Sequence, residues 1–386
     1  MIAISEFRRG DLGEGLVARL AHEADPSRHY RLLEICGGHA ATVLRYGLQA
    51  GLPANIDLIH GPACPVCSLP AQRIDQAIEL AERHGAILCT YGDLLQVPAV
   101  GGRTLIAARA DGADIRQIRS PLEAFAIARA EPARDVVLFA FGFETTAATT
   151  AAAVQRARQE GVGNFTVLCA HLLTTAALQV IFENARPGSV TGDTVDGVLG
   201  PGHVGGLIGS RPFAFFVEEY QKPVVMAGPE PLDVLQAVLM LVRQINEGRF
   251  TLENQFGRVA TPGGNSTALG LLATVFEPQR DVVWRGWGAV PYGGLGLAPD
   301  FAAFDAEIRH ALSPVHADCE PAAKGSGLLR GLKAATAYPA GGGRDRPETP
   351  LGSCLGFAEE FCGEHRNFGR DGRNGGLTAS ETAAWT

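Results

Sequence analysis

Apolar positions recur at helical spacing across residues 11–24 (DLGEGLVARLAHEA), and the next apolar run, Tyr30 to Ile35, is short, continuous and of buried-strand type. Short apolar runs then alternate with helix-like segments: Asp57 to His60, Gln72 to His84, Ala86 to Tyr91 and Pro121 to Ala130. This is the rhythm of parallel α/β units. A second cycle opens at DVVLFAFGFETT, with a strand over Val136 to Phe141 and an alanine-rich helix from about Thr146. It continues through NFTVLCAH, a helix near Thr174 to Asn184, VDGVLGPGHVGGLIG, KPVVMAG and a helix from Pro231 to Asn246. From Thr251 the periodicity weakens, and WRGWGAVPYGGLGL, with its aromatic anchors and glycine turns, predicts a packed irregular segment.

The fold class that follows is α/β, with two doubly wound parallel-sheet (Rossmann-like) lobes facing a cleft and a small irregular C-terminal region. The borders read in sequence order are a helical lead-in over 1–28, a first lobe over 29–121, a second over 122–248, a connecting segment over 249–338 and a tail over 339–386. The tail is glycine- and charge-rich (PAGGGRDRPETP, HRNFGRDGRNGG), which predicts partial flexibility.

Composition narrows the function classes. The 386 residues are too many for one ordinary core, and 46% hydrophobic with 19% charged residues is the balance of a globular protein. A formal charge of -8 without a basic patch argues against nucleic acid and against an anionic membrane surface. No apolar run reaches the roughly 18 residues of a membrane span, and the start (MIAISEFRRGDLGEG) lacks a signal-peptide segment, so a cytoplasmic protein is expected. In that setting the eight cysteines point to metal or redox chemistry before structural disulfides.

Two glycine-rich turns concentrate that chemistry. EICGGH and HGPACPVC each follow an apolar run, so Cys36, His39, Cys64 and Cys67 belong at the carboxyl ends of strands, where open α/β sheets bind ligands. Cys64 and Cys67 are spaced for a disulfide or a shared metal, with Pro62 and Pro65 stiffening the turn; the alternative is a pair of small buried hydrophobes. Cys36 sits beside two glycines that permit close backbone approach and is the leading reactive thiol; the alternative is strand-end packing, with His39 as a helix cap. A tetrahedral zinc site built from these four residues would also satisfy ligand chemistry.

Further strand ends offer Asp93 (YGDLLQVP), Glu144 (GFETT) and His203 (GPGHV), each either a cleft group or a solvated surface residue. Cys89 and Cys169 lie within apolar runs and read as core. No GxxxxGK[ST] or GxSxG occurs, and GLGLAP and AVGGR lack the context of a dinucleotide fingerprint, so no nucleotide cofactor is expected.

In order, EFR, EICGGH, GPACPVC, YGDLLQVP, GFETT, GPGHV, EEYQKPVVMAGPEPLD and WRGWGAVPYGGLGL resemble the HypD family of hydrogenase maturation proteins over about residues 5–312. The resemblance implies a metallocentre assembly scaffold rather than a turnover enzyme. On it the Fe(CN)2CO moiety of the [NiFe]-hydrogenase centre is built with thiol redox chemistry. Its implied partners are a HypC-like chaperone, a HypE-like cyanide donor and, indirectly, the hydrogenase large subunit. Carried over by motif, Cys36 is the thiol nearest the iron with His39 beside it, Cys64 and Cys67 are the redox pair, and Asp93, Glu144 and His203 are neighbouring groups.

The chain departs from the family pattern at three places. Ala40 and Ala41 follow His39 where the family reads CGGHTH, and Gln96 replaces the arginine of DxxRVP. AKGSGLLRG stands where the family has CxCG before LRG, at the start of a domain that holds a [4Fe-4S] cluster. Only Cys319, Cys354 and Cys362 remain in that region, against the four thiolates such a cluster takes. The tail keeps two other readings open: a cluster-free, non-assembling paralogue acting as an interaction protein, and a thiol-disulfide oxidoreductase or zinc-binding protein.

Overall fold

In the computed structural model, which describes residues 4–61, 64–184 and 195–316, eleven strands fall into three sheets. The first sheet contains β1 (Tyr30–Glu34), β2 (Ile56–His60), β7 (Gly197–Pro201), β8 (Val224–Ala227) and β9 (Leu252–Asn254) in the order β2-β1-β7-β8-β9, all parallel. The second contains β3 (Ile87–Thr90), β4 (Ile115–Gln117), β5 (Val136–Gly142) and β6 (Phe165–His171) in the order β4-β3-β5-β6, again all parallel. Strands β10 (Phe276–Trp284) and β11 (Gly288–Leu297) pair as an antiparallel hairpin. Strands β3, β5, β6, β7 and β8 are buried along their whole length, as expected of parallel strands covered on both faces.

The expected helices form. Gly10–Glu23, Ala71–Glu82, Pro121–Ala130, Glu144–Glu160, Thr174–Asn184 and Pro231–Glu247 match the periodic segments to within about two residues at each end. Local chemistry sets their ends. Glu230 and Asp233 form a capping box at the start of Pro231–Glu247, with Pro231 at its first position, and Gly248 closes it with φ 62°. That helix lays Val234, Leu235, Val238, Leu241 and Val242 against Leu32, Leu58, Leu199 and Val225 of the first sheet. Each such buried side chain contributes about 1.5–3 kcal/mol relative to exposure.

Two compact units result, and neither is continuous in sequence. Among the described residues one unit comprises 4–61, Cys64, 178–184 and 195–264, and the other 65–177 and 265–316. This differs from the sequential borders near 121 and 248, because β7, β8 and β9 return to pair beyond β1 instead of extending the sheet that β5 and β6 belong to. The segment after Thr251 also departs from expectation. WRGWGAVPYGGLGL is one half of the β10–β11 hairpin, whose turn uses Gly286 and Gly288 at φ 76° and 80°. Its Arg285 N–H donates to the Ser68 carbonyl at 2.9 Å. No helix among the described residues is long and apolar enough to cross a membrane. The tail over 339–386, with Cys319, Cys354 and Cys362, lies outside the described residues.

Candidate functional site

Counted along the first unit alone, the strand order is 2-1-3-4-5, and the winding reverses between β1 and β7. In doubly wound sheets that reversal opens a crevice at the carboxyl ends of the two strands. Cys36 leaves β1 in extended conformation and caps the helix Gly37–Arg45, while His203 follows β7 as the second residue of the helix Gly202–Ile208. They meet around Gly38. A Cβ there would lie 3.6 Å from the Cys36 Sγ, 3.6 Å from the His203 Cε1 and 3.2 Å from the Pro229 Cβ, so the glycine is what lets the three approach. The His203 ring is exposed and stands edge-on to Phe256.

His39 lies inward from the sulfur, on the same helix and fully buried. Its Nε2 is 3.0 Å from the Ala227 carbonyl at the end of β8. A carbonyl only accepts, so Nε2 carries the proton and Nδ1 presents a lone pair that has no partner among the described residues. Burial lowers the imidazole pKa against the opposing pull of Glu34, which keeps the ring neutral. The role of a helix cap considered for His39 is not the one it takes; Cys36 holds the cap position and His39 is the third residue of the helix.

Cys36 is 8% exposed, and burial pushes its thiol up to about 11. The amides of His39 and Gly38 at the helix N-terminus act against that, and Glu34 adds to it. The thiol is protonated at neutral pH, and a metal cation arriving at the sulfur would displace that proton.

Beneath Cys36 is a polar pair that sequence reasoning missed. Glu34 and His60 end β1 and β2, directly opposite one another in the register. Both are buried, with Glu34 Oε1 bonded to His60 Nδ1 and Glu34 Oε2 accepting the Cys36 N–H at 3.1 Å. Their polar positions at equal depth beside the two cysteine turns were the available signal.

Cys64 and Cys67 are buried, and neither forms a disulfide among the described residues. Cys67 lies in the short helix Pro65–Ser68, and the boundary between the units falls between Cys64 and Pro65. The second unit holds the remaining candidates at its own winding reversal, between β3 and β5. Asp93 is exposed in the turn Gly92–Leu94 that follows β3. Glu144 opens the helix after β5 and is 3% exposed, not solvated. Its two oxygens accept from the Thr174 N–H at 2.8 Å and the Thr174 hydroxyl at 2.7 Å, and burial raises its pKa. Gly142 holds φ 123°, and a Cβ there would strike the Thr146 hydroxyl.

Cys89 and Cys169 belong to the second unit's core, with burial pushing both thiols up to about 12. Among the described residues no group of three or more His, Cys, Asp or Glu side chains is arranged to hold a metal ion.

Fold and site together define a doubly wound α/β protein with a buried thiol and two imidazoles at a strand-order reversal. The chain belongs to the HypD family of hydrogenase maturation factors, described as the hydrogenase formation hypA family, which it matches over residues 11–369. It is 48% identical to the hydrogenase maturation factor HypD of Rhizobium leguminosarum bv. viciae over 367 residues, 95% of each chain. Identity is 48% to that of Azotobacter vinelandii, covering 95% of this chain and 97% of the relative. It is 37% to that of Escherichia coli K12, covering 93% and 96%.

Proposed function

We propose that this maturation factor is the scaffold on which an Fe(CN)2CO unit is assembled as cargo, with Cys36 as its thiolate ligand and Cys64 and Cys67 as a redox pair. The observation that carries the reading is the placement of Cys36 at the β1/β7 reversal, capped by amides and flanked by two histidines. A thiolate is a soft donor suited to iron carrying cyanide and carbonyl. The neutral His39 Nδ1 is a second lone pair on the same helix. Cys64 and Cys67 would cycle by thiol–disulfide exchange, passing two electrons and two protons to a disulfide partner as they oxidise and regaining them from a cellular dithiol of lower potential.

A small HypC-like chaperone docking at the Cys36 crevice and a HypE-like cyanide donor complete this reading. Cys319, Cys354 and Cys362 do not supply the four thiolates of a resident [4Fe-4S] cluster, so no electron is routed through one. The same shortage favours the second reading, a non-assembling paralogue that only binds maturation partners.

The test is infrared spectroscopy with iron analysis on the chain co-purified with its chaperone from a hydrogenase-producing host. Cyanide and carbonyl bands that vanish in Cys36→Ala are expected. Absence of bands and iron from the wild-type chain would leave the non-assembling reading.

A further inference from the structure

Glu34 makes more connections than a strand-end residue needs. Its Oε2 takes the N–H of Cys36, its Oε1 takes His60 Nδ1, and its backbone carbonyl takes the N–H of Gly61 at 2.8 Å. Two of these partners, His60 and Gly61, are the last residue of β2 and the residue after it, three positions ahead of Cys64. The third is the amide of Cys36 itself. Gly61 adds closeness to the bonding: a Cβ there would lie 2.7 Å from the Ile35 Cγ2 and 3.3 Å from the Glu34 carbonyl oxygen.

Glu34 is 3% exposed and His60 2%. An acidic side chain at such a place costs stability relative to an apolar one unless every polar atom is bonded, and well-packed hydrophobic replacements of buried charged pairs are often neutral or stabilising. The pair is thus poorly explained by stability. It is well explained by geometry, because a fixed carboxylate can hold two loop roots at a set separation and hydrophobic contact cannot.

We propose that Glu34, steadied by His60, is a positioning residue that ties the ends of β1 and β2 together, and with them the points from which the chain runs on to Cys36 and to Cys64. This rests on the scaffold reading for its purpose: a thiol that holds cargo and a thiol that exchanges electrons must keep a constant relation through the assembly cycle. Glu34 touches neither sulfur in this role. It fixes the Cys36 amide, and through it the direction in which the side chain leaves the end of β1.

The experiment is residue-resolved alkylation of the metal-free, full-length chain with iodoacetamide, read by peptide mass spectrometry, with Cys89 and Cys169 as internal references. In Glu34→Ala, labelling of Cys36 and Cys64 is expected to rise at least tenfold, with Cys89 and Cys169 unchanged. Glu34→Gln is expected to return both to within about threefold of wild type, because its amide oxygen accepts the Cys36 N–H and its NH2 donates to His60. Unchanged labelling of Cys36 or Cys64 in Glu34→Ala would overturn the proposal. An equal rise at all four thiols would make Glu34 a general fold determinant and also overturn it, as would Glu34→Gln behaving like alanine. Should Glu34→Ala not yield folded protein, His60→Ala is judged by the same pattern. Because no metal is involved, a failure here is separate from a failure of the assembly reading, which the infrared bands of the wild-type chain decide.

Discussion

Replacing Glu144 by alanine should loosen the second unit where the helix Thr174–Asn184 begins. The carboxylate there is 3% exposed and bonds the Thr174 N–H and hydroxyl at 2.8 and 2.7 Å. Alanine removes both acceptors and leaves a buried donor and a hydroxyl to find others. At about 1–3 kcal/mol for an unsatisfied buried group, partly relieved by rotation of the hydroxyl, the loss is about 2–4 kcal/mol. Glutamine keeps both contacts, its oxygen accepting the N–H and its NH2 donating to the hydroxyl. The two substitutions also differ with pH. Burial raises the folded-state pKa of Glu144, so its contribution is fully present below the unfolded value of about 4.3 and is lost as pH rises through the folded value. Glu144→Gln escapes that loss and is expected to equal or exceed wild type at pH 8. Urea unfolding followed by tryptophan fluorescence reads this unit directly, since Trp284 lies 6.4 Å from Phe143 beside the glutamate. Hydrogen exchange of the Thr174 amide gives a local readout. An alanine variant losing less than about 1 kcal/mol with that amide still protected, or a glutamine variant losing as much as alanine at pH 5 and pH 8, would refute the reasoning.

Three other outcomes are expected. Burial holds His171 neutral with its pKa down to about 4, its Nε2 3.0 Å from the Thr150 hydroxyl. The unfolded state therefore takes up a proton first, and stability present above about pH 6.5 falls by about 3 kcal/mol toward pH 4; His171→Gln should flatten that slope in urea melts, and parallel slopes would count against it. Asp233, fully buried, takes both ends of the Arg258 guanidinium and the Gln255 amide, and Arg258 in turn stacks 3.8 Å from the Phe7 ring. Asp233→Ala should cost about 3–5 kcal/mol and free the N-terminal segment for tryptic cleavage near Arg8, whereas unchanged melting and digestion would show the pair to be dispensable. In Gly202→Ala the new Cβ would fall 2.2 Å from the Ala227 carbonyl that His39 donates to. A loss of about 1–3 kcal/mol is expected, with a shifted His39 imidazole resonance in NMR; an unmoved resonance would argue against that coupling.

Strands and helices were legible because parallel α/β segments advertise themselves as continuous apolar runs between amphipathic ones, and Val136 to Phe141 is such a run. Pairing was not legible. Nothing in the text of β7 says that Leu32 and Leu33 of β1 will be its neighbours, since a buried parallel strand is equally hydrophobic toward any partner. The hairpin was missed because β10 is half exposed, carries Pro278, and shifts register between Gln279 and Asp281, so neither strict alternation nor a continuous apolar run marks it. Cys36, His39 and His203 were found by their glycine turns at strand ends. Glu34 and His60 were passed over because a polar residue at the end of a strand ordinarily faces water, and only the register, with one opposite the other, shows them to be a buried pair.

The two sheets offer a comparison within one chain. Each reverses its winding after its first strand in the chain order of its unit, and each places candidate groups there: Cys36 and His203 after β1 and β7, Asp93 and Glu144 after β3 and β5. The same topology is used differently. After β5, the two oxygens of Glu144 are engaged by Thr174 and help to begin a helix. After β1, the Glu34 carboxylate holds the Cys36 amide and the Ala227 carbonyl holds His39, which leaves the His39 Nδ1 without a partner among the described residues. A side chain tied at both ends positions structure, while a side chain tied at one end can still bind. By that criterion His39 keeps a bonding position open in the first unit, with Glu34 and His60 paired at the ends of β1 and β2.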